Sequence, residues 1–131
     1  MSQENVEVVR ELYRAMNDRD PEGAAEYTHP GLEWVPDRRV GEGPFQGRES
    51  ALRFFMDRAE MLDGYRVEVE RTWEKDDQVL AYVRVTGSGK GSGAPFDIRI
   101  GHLWTVRDGV VVRGEGYGDR EEALEAVGLS D

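Results

Sequence analysis

His102 is the side chain in this sequence that is best suited to acid–base chemistry. It follows Ile98 and Ile100 on one face of an alternating apolar stretch, so it is expected to point away from water. An imidazole in such a place can give and take a proton near neutral pH. Burial would lower its pKa, and a neighbouring carboxylate would raise it again. The alternative is a core histidine whose nitrogens are satisfied by hydrogen bonds within the protein.

Two carboxylates could be the counterpart of His102. Glu115 shares one face of the last expected strand with Arg113 and Tyr117, and a concave face there would bring Glu115 close to His102. An acid and a base in one apolar pocket meet the basic requirement for proton shuttling. Arg113 and Glu115 could instead pair with each other at a solvated end of the sheet. Asp37 lies in a polar loop and is either a base or a turn residue.

Aromatic residues could form the wall of a ligand cavity. Trp34 and Trp104 fall on faces that are expected to line it, with Tyr117 beside them, and flat rings suit a ring-shaped apolar ligand. Core packing is the alternative for Trp104 and for Trp34. Tyr13, on the first expected helix, could add a hydroxyl donor.

Arg71 and Arg113 are the cations considered as ligand contacts. Arg71 falls on the inward face of its strand by parity. It could then pair with Glu115 or meet an acidic group of a ligand. Arg113 enters the cavity only if the last strand turns that face inward.

Several other kinds of chemistry are not expected. The chain has no cysteine, which excludes disulfides and thiolate sites, and its two histidines make a dedicated metal site improbable. The glycine-rich stretch 89–94 is followed by Pro95 and an expected strand, whereas a phosphate-binding loop would open a helix. We therefore expect no metal and no cofactor.

Length and charge narrow the class of protein. The 131 residues correspond to one domain spanning 1–131, and the net charge of −10 comes from 27 acidic and 17 basic residues. No basic face is visible, so neither nucleic acid nor an anionic membrane is an expected partner. No apolar run approaches the roughly 18 residues of a membrane-spanning helix, and the start lacks a signal-peptide pattern. We expect a cytoplasmic protein.

The periodicity predicts helices around a curved antiparallel sheet. Helical spacing covers residues 3–17, 21–27 and 48–62, with a short strand over 32–35. From Tyr65 the period changes to two, and a meander of four strands runs to Tyr117 before a short helix that Asp119 caps. Helices segregated from an antiparallel sheet make an α+β domain.

Several segments in this order resemble the SnoaL-like polyketide cyclase and ketosteroid isomerase branch of the nuclear transport factor 2 superfamily. They are residues 8–13 with 17–20, 29–34, 47–50, 102–109 and 119–125. The resemblance implies a cone-shaped barrel in which the sheet wraps around three helices of the N-terminal half and leaves a cavity. It also implies a homodimer through the outer sheet face, where Leu80, Tyr82, Leu103 and Thr105 fall by parity. The C-terminal helix could cover these residues instead.

The resemblance also bears on the candidate residues. His102 occupies the position where catalytic members place an Asp or a His. The helix tyrosine of the isomerases corresponds to Leu12, and their base corresponds to Val35, with Asp37 two residues later. A ketosteroid-isomerase mechanism is therefore not expected.

Two classes of function remain open at this stage. One is an enzyme that isomerises, cyclises or dehydrates a small hydrophobic molecule by general acid–base catalysis. The other is a non-catalytic binder of such a molecule, or an accessory dimer module. Two titratable side chains that converge in the cavity would favour the enzyme, and a lone histidine would favour the binder.

Overall fold

The structure is a computed structural model that describes residues 2–129. Its helices are α1 (Ser2–Asn17), α2 (Pro21–Glu26), α3 (Arg48–Met61) and α4 (Arg120–Ala126), with a 3₁₀ turn at Arg38–Val40. Its strands are β1 (Thr28–Val35), β2 (Phe45–Gln46), β3 (Leu62–Lys75), β4 (Gln78–Gly89), β5 (Pro95–Arg107) and β6 (Val110–Tyr117). The predicted α+β class, with three helices before the meander and a short helix after it, is confirmed. Among the described residues, no helix is both long and apolar enough to cross a membrane.

One six-stranded sheet runs in the order β2-β1-β6-β5-β4-β3. The meander from β3 to β6 is antiparallel throughout, as its alternating sequence predicted. The first strand, for which the sequence predicted no pairing, joins the meander through a parallel pairing of β1 with β6. This pairing also lengthens β1, which begins at Thr28, opposite Val111, rather than at Leu32.

The main core lies between α1, α3 and one face of the sheet. The apolar side of α1 is buried there, because its residues recur at helical spacing and share one side of the helix; they are Val6, Val9, Leu12, Tyr13 and Met16. In α2, Pro21 takes the first helical position, and the Asp20 side chain accepts a hydrogen bond from the backbone N–H of Gly23.

A second, smaller core covers the other face of the sheet. Leu80 and Leu103 are 1% and 2% exposed and pack against α4 and the residue after it, through Ala123, Leu124 and Val127. Two of the four residues on which the homodimer prediction depended, Leu80 and Leu103, are therefore covered within the chain itself. This was the alternative considered for that face.

A β-bulge in β3 moves the side chains of the residues after it to the opposite face of the sheet. Val69 is paired with Val83 but Arg71 is paired with Tyr82, so β3 holds one extra residue at position 70. The prediction that Arg71 points inward is therefore wrong. Arg71 is exposed on the α4 side of the sheet, with its guanidinium carbon 4.4 Å from the ring centre of Trp73.

A second bulge does the same to β6. The two-residue turn at 108–109 pairs Arg107 with Val110, and an unbroken ladder would place Glu115 opposite His102. The ladder shifts by one residue at position 112, so Gly116 faces His102 and Glu115 faces Leu103. Glu115 therefore lies on the sheet face that α4 covers, and the prediction that it is near His102 is wrong.

Candidate functional site

A cavity of about 280 Å³ opens between α3, the end of β1 and the inner face of the sheet. Its wall is mainly aromatic and aliphatic, with polar groups from a few residues; it is formed by Trp34, Pro36, Asp37, Val40, Phe54, Phe55, Arg58, Leu62, Tyr65, Val85, Phe96, Ile98, Ile100, His102, Gly116, Tyr117 and Gly118. The bulge in β6 contributes to this composition, because it places Gly116 rather than Glu115 opposite His102.

His102 lies in the wall of this cavity and is 4% exposed. The Tyr13 hydroxyl oxygen, from α1, lies 2.7 Å from Nδ1 of His102. The same hydroxyl accepts a hydrogen bond from Nε1 of Trp104 at 2.8 Å. Three side chains from α1 and β5 thus form one buried hydrogen-bonded chain behind the cavity.

Burial controls the protonation of His102 and Tyr13. Desolvation lowers the pKa of His102 to about 3, because the positive imidazolium loses its hydration in the core. Burial also raises the pKa of Tyr13, and the hydrogen bond from Trp104 offsets only part of that rise. Both side chains are therefore neutral at physiological pH.

The aromatic rings around His102 form a continuous cluster. The Trp34 ring centre lies 4.7 Å from that of Phe55, 5.2 Å from that of His102 and 5.4 Å from that of Trp104. Trp34 borders the cavity, whereas Trp104 is buried behind it and is not part of the wall. Trp104 therefore packs in the core, which was the alternative for this residue.

Asp37 lies in the cavity wall but is held as a loop cap. Its carboxylate accepts hydrogen bonds from the backbone N–H of Arg39 at 2.9 Å, from that of Gly118 at 2.6 Å, and from the Arg39 guanidinium, which also contacts Glu122. Burial raises the pKa of Asp37, but these hydrogen bonds outweigh it and leave the pKa lowered. A carboxylate stabilised in this way is a poor base.

Glu115, Arg113 and Tyr117 form a polar cluster on the α4 side of the sheet. Glu115 accepts hydrogen bonds from Nε of Arg113 at 3.1 Å and from the Tyr117 hydroxyl at 2.6 Å, and Arg113 also contacts Glu33. Tyr117 borders the cavity, while Glu115 lines a separate groove beside α4. The pairing of Arg113 with Glu115 was the alternative to a catalytic Glu115.

Sequence reasoning missed the contribution of α3 to the wall. Phe54, Phe55 and Arg58 all line the cavity, and the Arg58 guanidinium carbon lies 3.7 Å from the ring centre of Phe54. The four-residue spacing of Phe54 and Arg58 was the available signal, because such residues are neighbours on a helix surface.

The described part of the chain contains no group of three or more histidine, aspartate or glutamate side chains arranged to hold a metal ion.

One family model and several solved structures are similar to this chain. The family model described as SnoaL-like domain matches residues 9–114. No curated protein matches the chain. TerC, crystallised with polyporic acid, is 26% identical in sequence, with 95% of this chain and 97% of TerC covered and a TM-score of 0.77.

Two further structures share the fold. A protein described as a SnoaL-like polyketide cyclase, from Jannaschia sp. CCS1, is 24% identical over 99% of this chain and 95% of its own, with a TM-score of 0.79. The second is a hypothetical protein with a ketosteroid isomerase-like fold, from Catenulispora acidiphila DSM 44928 and in complex with trimethylamine. It is 18% identical in sequence, with 95% of this chain and 94% of that protein covered and a TM-score of 0.75. Because the family model covers most of the chain, the chain belongs to the SnoaL-like domain family, whose members include polyketide cyclases and isomerases.

Proposed function

We propose that this protein binds a small, flat, largely apolar molecule in the cavity beside His102 and does not convert it by proton transfer. The observation that carries the proposal is the composition of the wall. Trp34, Phe54 and Phe55 contribute aromatic surface to the wall, and Ile98 and Ile100 contribute aliphatic surface. Ligand sites of this kind gain their affinity from apolar burial and their orientation from a few polar groups.

The arrangement of titratable groups supports binding over acid–base catalysis. An efficient catalytic base has a pKa near the working pH, and the pKa of His102 is lowered to about 3. The Asp37 carboxylate is occupied by N–H donors, and Glu115 lies on the other face of the sheet. Neither carboxylate is therefore placed to exchange a proton with His102, as shuttling between an acid and a base requires.

The complex of the similar protein TerC with polyporic acid adds support for a small-molecule role of this fold. The class of molecule proposed here follows from the wall of this cavity alone.

The experiment is a pair of binding and turnover measurements with the purified protein. Native mass spectrometry first tests whether a molecule is retained from the expression host. Equilibrium dialysis then measures the affinity for fluorene, a rigid flat hydrocarbon, and liquid chromatography with mass detection measures whether added ring ketones change. We expect saturable binding and no product.

Ile100→Trp is the variant that fills the cavity, and Met61→Trp is its matched control. Ile100 lines the cavity, whereas Met61 is exposed and lies outside it. We expect Ile100→Trp to lose fluorene binding and Met61→Trp to keep it. Equal binding by both variants would exclude this cavity as the site.

A homodimer remains a prediction of the family resemblance. Leu80 and Leu103, on which it partly depended, are covered by α4 and give it no support. Sedimentation at micromolar concentration measures the state directly: a dimer would support the prediction, and a monomer would contradict it.

A further inference from the structure

The buried chain of Trp104, Tyr13 and His102 has a fixed direction. An indole nitrogen can only donate a hydrogen bond, so Trp104 must donate to the Tyr13 oxygen, at 2.8 Å. The second contact of that oxygen, at 2.7 Å from Nδ1 of His102, can run either way in principle.

Counting donors and acceptors shows which group donates in the contact between Tyr13 and His102. If Nδ1 of His102 donated, both lone pairs of the Tyr13 oxygen would be used, and the Tyr13 proton would need another acceptor. No other partner of this hydroxyl is found among residues 2–129. Since a buried hydroxyl proton without an acceptor is costly, Tyr13 donates and Nδ1 accepts.

The direction of this hydrogen bond determines the tautomer of His102. A neutral imidazole that accepts at Nδ1 carries its proton at Nε2. Nε2 has no partner among the described residues, yet it is not sealed from the cavity as the unpartnered Nε1 of Trp34 is. Because His102 lines the cavity, Nε2–H is the donor that it presents there.

None of the rings around His102 offers an acceptor to this donor. Trp34 and Trp104 carry only N–H groups, Phe55 carries no polar atom, and the Tyr13 oxygen is already engaged. The Trp34 N–H is itself buried without a partner among the described residues. The rings around His102 therefore leave Nε2–H as a free donor at this end of the cavity and provide no acceptor for it.

We propose that the cavity selects apolar ring molecules that carry a hydrogen-bond acceptor, such as a ring ketone or quinone oxygen, at the end that meets Nε2 of His102. Tyr13 and Trp104 act as positioning residues, because they fix which nitrogen of the imidazole holds the proton. This inference rests on the proposed binding function and adds a chemical class of ligand to it.

The first test is nitrogen-15 NMR of the histidine ring in the protein without ligand. The chain has only two histidines, so His29→Gln leaves the His102 signals alone in the spectrum. We expect chemical shifts of the Nε2–H tautomer in wild type and a changed Nδ1 shift in Tyr13→Phe, because Nδ1 then loses its hydrogen-bond donor. The Nδ1–H tautomer in wild type would overturn the inference whether or not any ligand binds.

The second test compares fluorenone with fluorene, which have the same rigid shape and differ by the acceptor oxygen. The quantity measured is the ratio of their affinities by equilibrium dialysis. We expect this ratio to fall about five-fold or more in His102→Phe and in Tyr13→Phe, as the loss of one neutral hydrogen bond implies. Tyr82→Phe, on the α4 side of the sheet, is the matched control and should leave the ratio unchanged.

The outcomes separate the two proposals. If both probes bind and the ratio is the same in all variants, the acceptor preference is wrong and the binding function stands. If neither probe binds to wild type, both proposals fail. If His102→Phe does not fold, the affinity ratio of Tyr13→Phe and the NMR spectrum of the wild type still test the acceptor preference and the tautomer of His102.

Discussion

The Tyr13 hydroxyl lies 2.7 Å from Nδ1 of His102, although 89 positions separate the two residues in the sequence. The contact joins the first helix to the third strand of the meander at the back of the cavity. Because Trp104 donates to the same oxygen, removing this hydroxyl affects three buried side chains together.

Tyr13→Phe should therefore lower the free energy of unfolding by about 1–3 kcal/mol, the usual cost of leaving buried polar groups unpaired. Tyr82→Phe is the control, because Tyr82 lies on the other face of the sheet and has no contact with His102. Urea denaturation of both variants measures the difference. A Tyr13→Phe protein as stable as wild type would contradict the buried hydrogen bonds that join Trp104, Tyr13 and His102.

The pH dependence of stability should reveal the burial of His102. Its pKa is about 3 in the folded protein and about 6.5 when unfolded, so between these values the unfolded chain binds one more proton. Stability is thus lost as the pH falls below about 6.5, by at most about 1.4 kcal/mol per pH unit.

Urea denaturation at about pH 7 and about pH 5 measures this loss. His29→Gln should keep it, because His29 is exposed, and His102→Phe should lack this contribution. A slope that is equal in wild type and His102→Phe would contradict the buried neutral imidazole.

Leu124→Ala should test the role of α4 as the cover of the outer sheet face. Leu124 is buried against Leu80 and Leu103, so its truncation should lower the free energy of unfolding by about 2–4 kcal/mol. Glu121→Ala, on the exposed side of the same helix, should change it by less than about 0.5 kcal/mol. Similar values for the two variants would show that α4 does not cover this face in solution.

Asp37→Ala should show whether this carboxylate serves the loop. The carboxylate accepts hydrogen bonds from the backbone of Arg39 and of Gly118. We expect a loss of about 0.5–2 kcal/mol in the free energy of unfolding, as for other capping residues, measured by thermal or urea denaturation. Unchanged stability would return Asp37 to consideration as a reactive group of the cavity.

The sequence was informative where periodicity decides the structure. Alternation placed His102 on the inner face of its strand, and helical spacing placed Tyr13 on the buried side of α1. It failed where one extra residue changes the register. Glu115 would oppose His102 in an unbroken hairpin, and the bulge at position 112 moves it to the other face.

The same reason explains Arg71, because the bulge at position 70 reverses the facing of the strand beyond it. Alternation of residue types does not reveal such an insertion when both faces carry mixed side chains. The contact between Tyr13 and His102 was also beyond sequence reasoning. It depends on how α1 crosses the sheet, which the periodicity of neither element specifies.

A crystal structure of the protein with fluorenone tests the central claim most directly. The account predicts the three-ring molecule between Trp34, Phe55 and Ile100, with its carbonyl oxygen about 2.7–3.2 Å from Nε2 of His102. A cavity that stays empty at saturating fluorenone, or a ligand whose oxygen points away from His102, would contradict it.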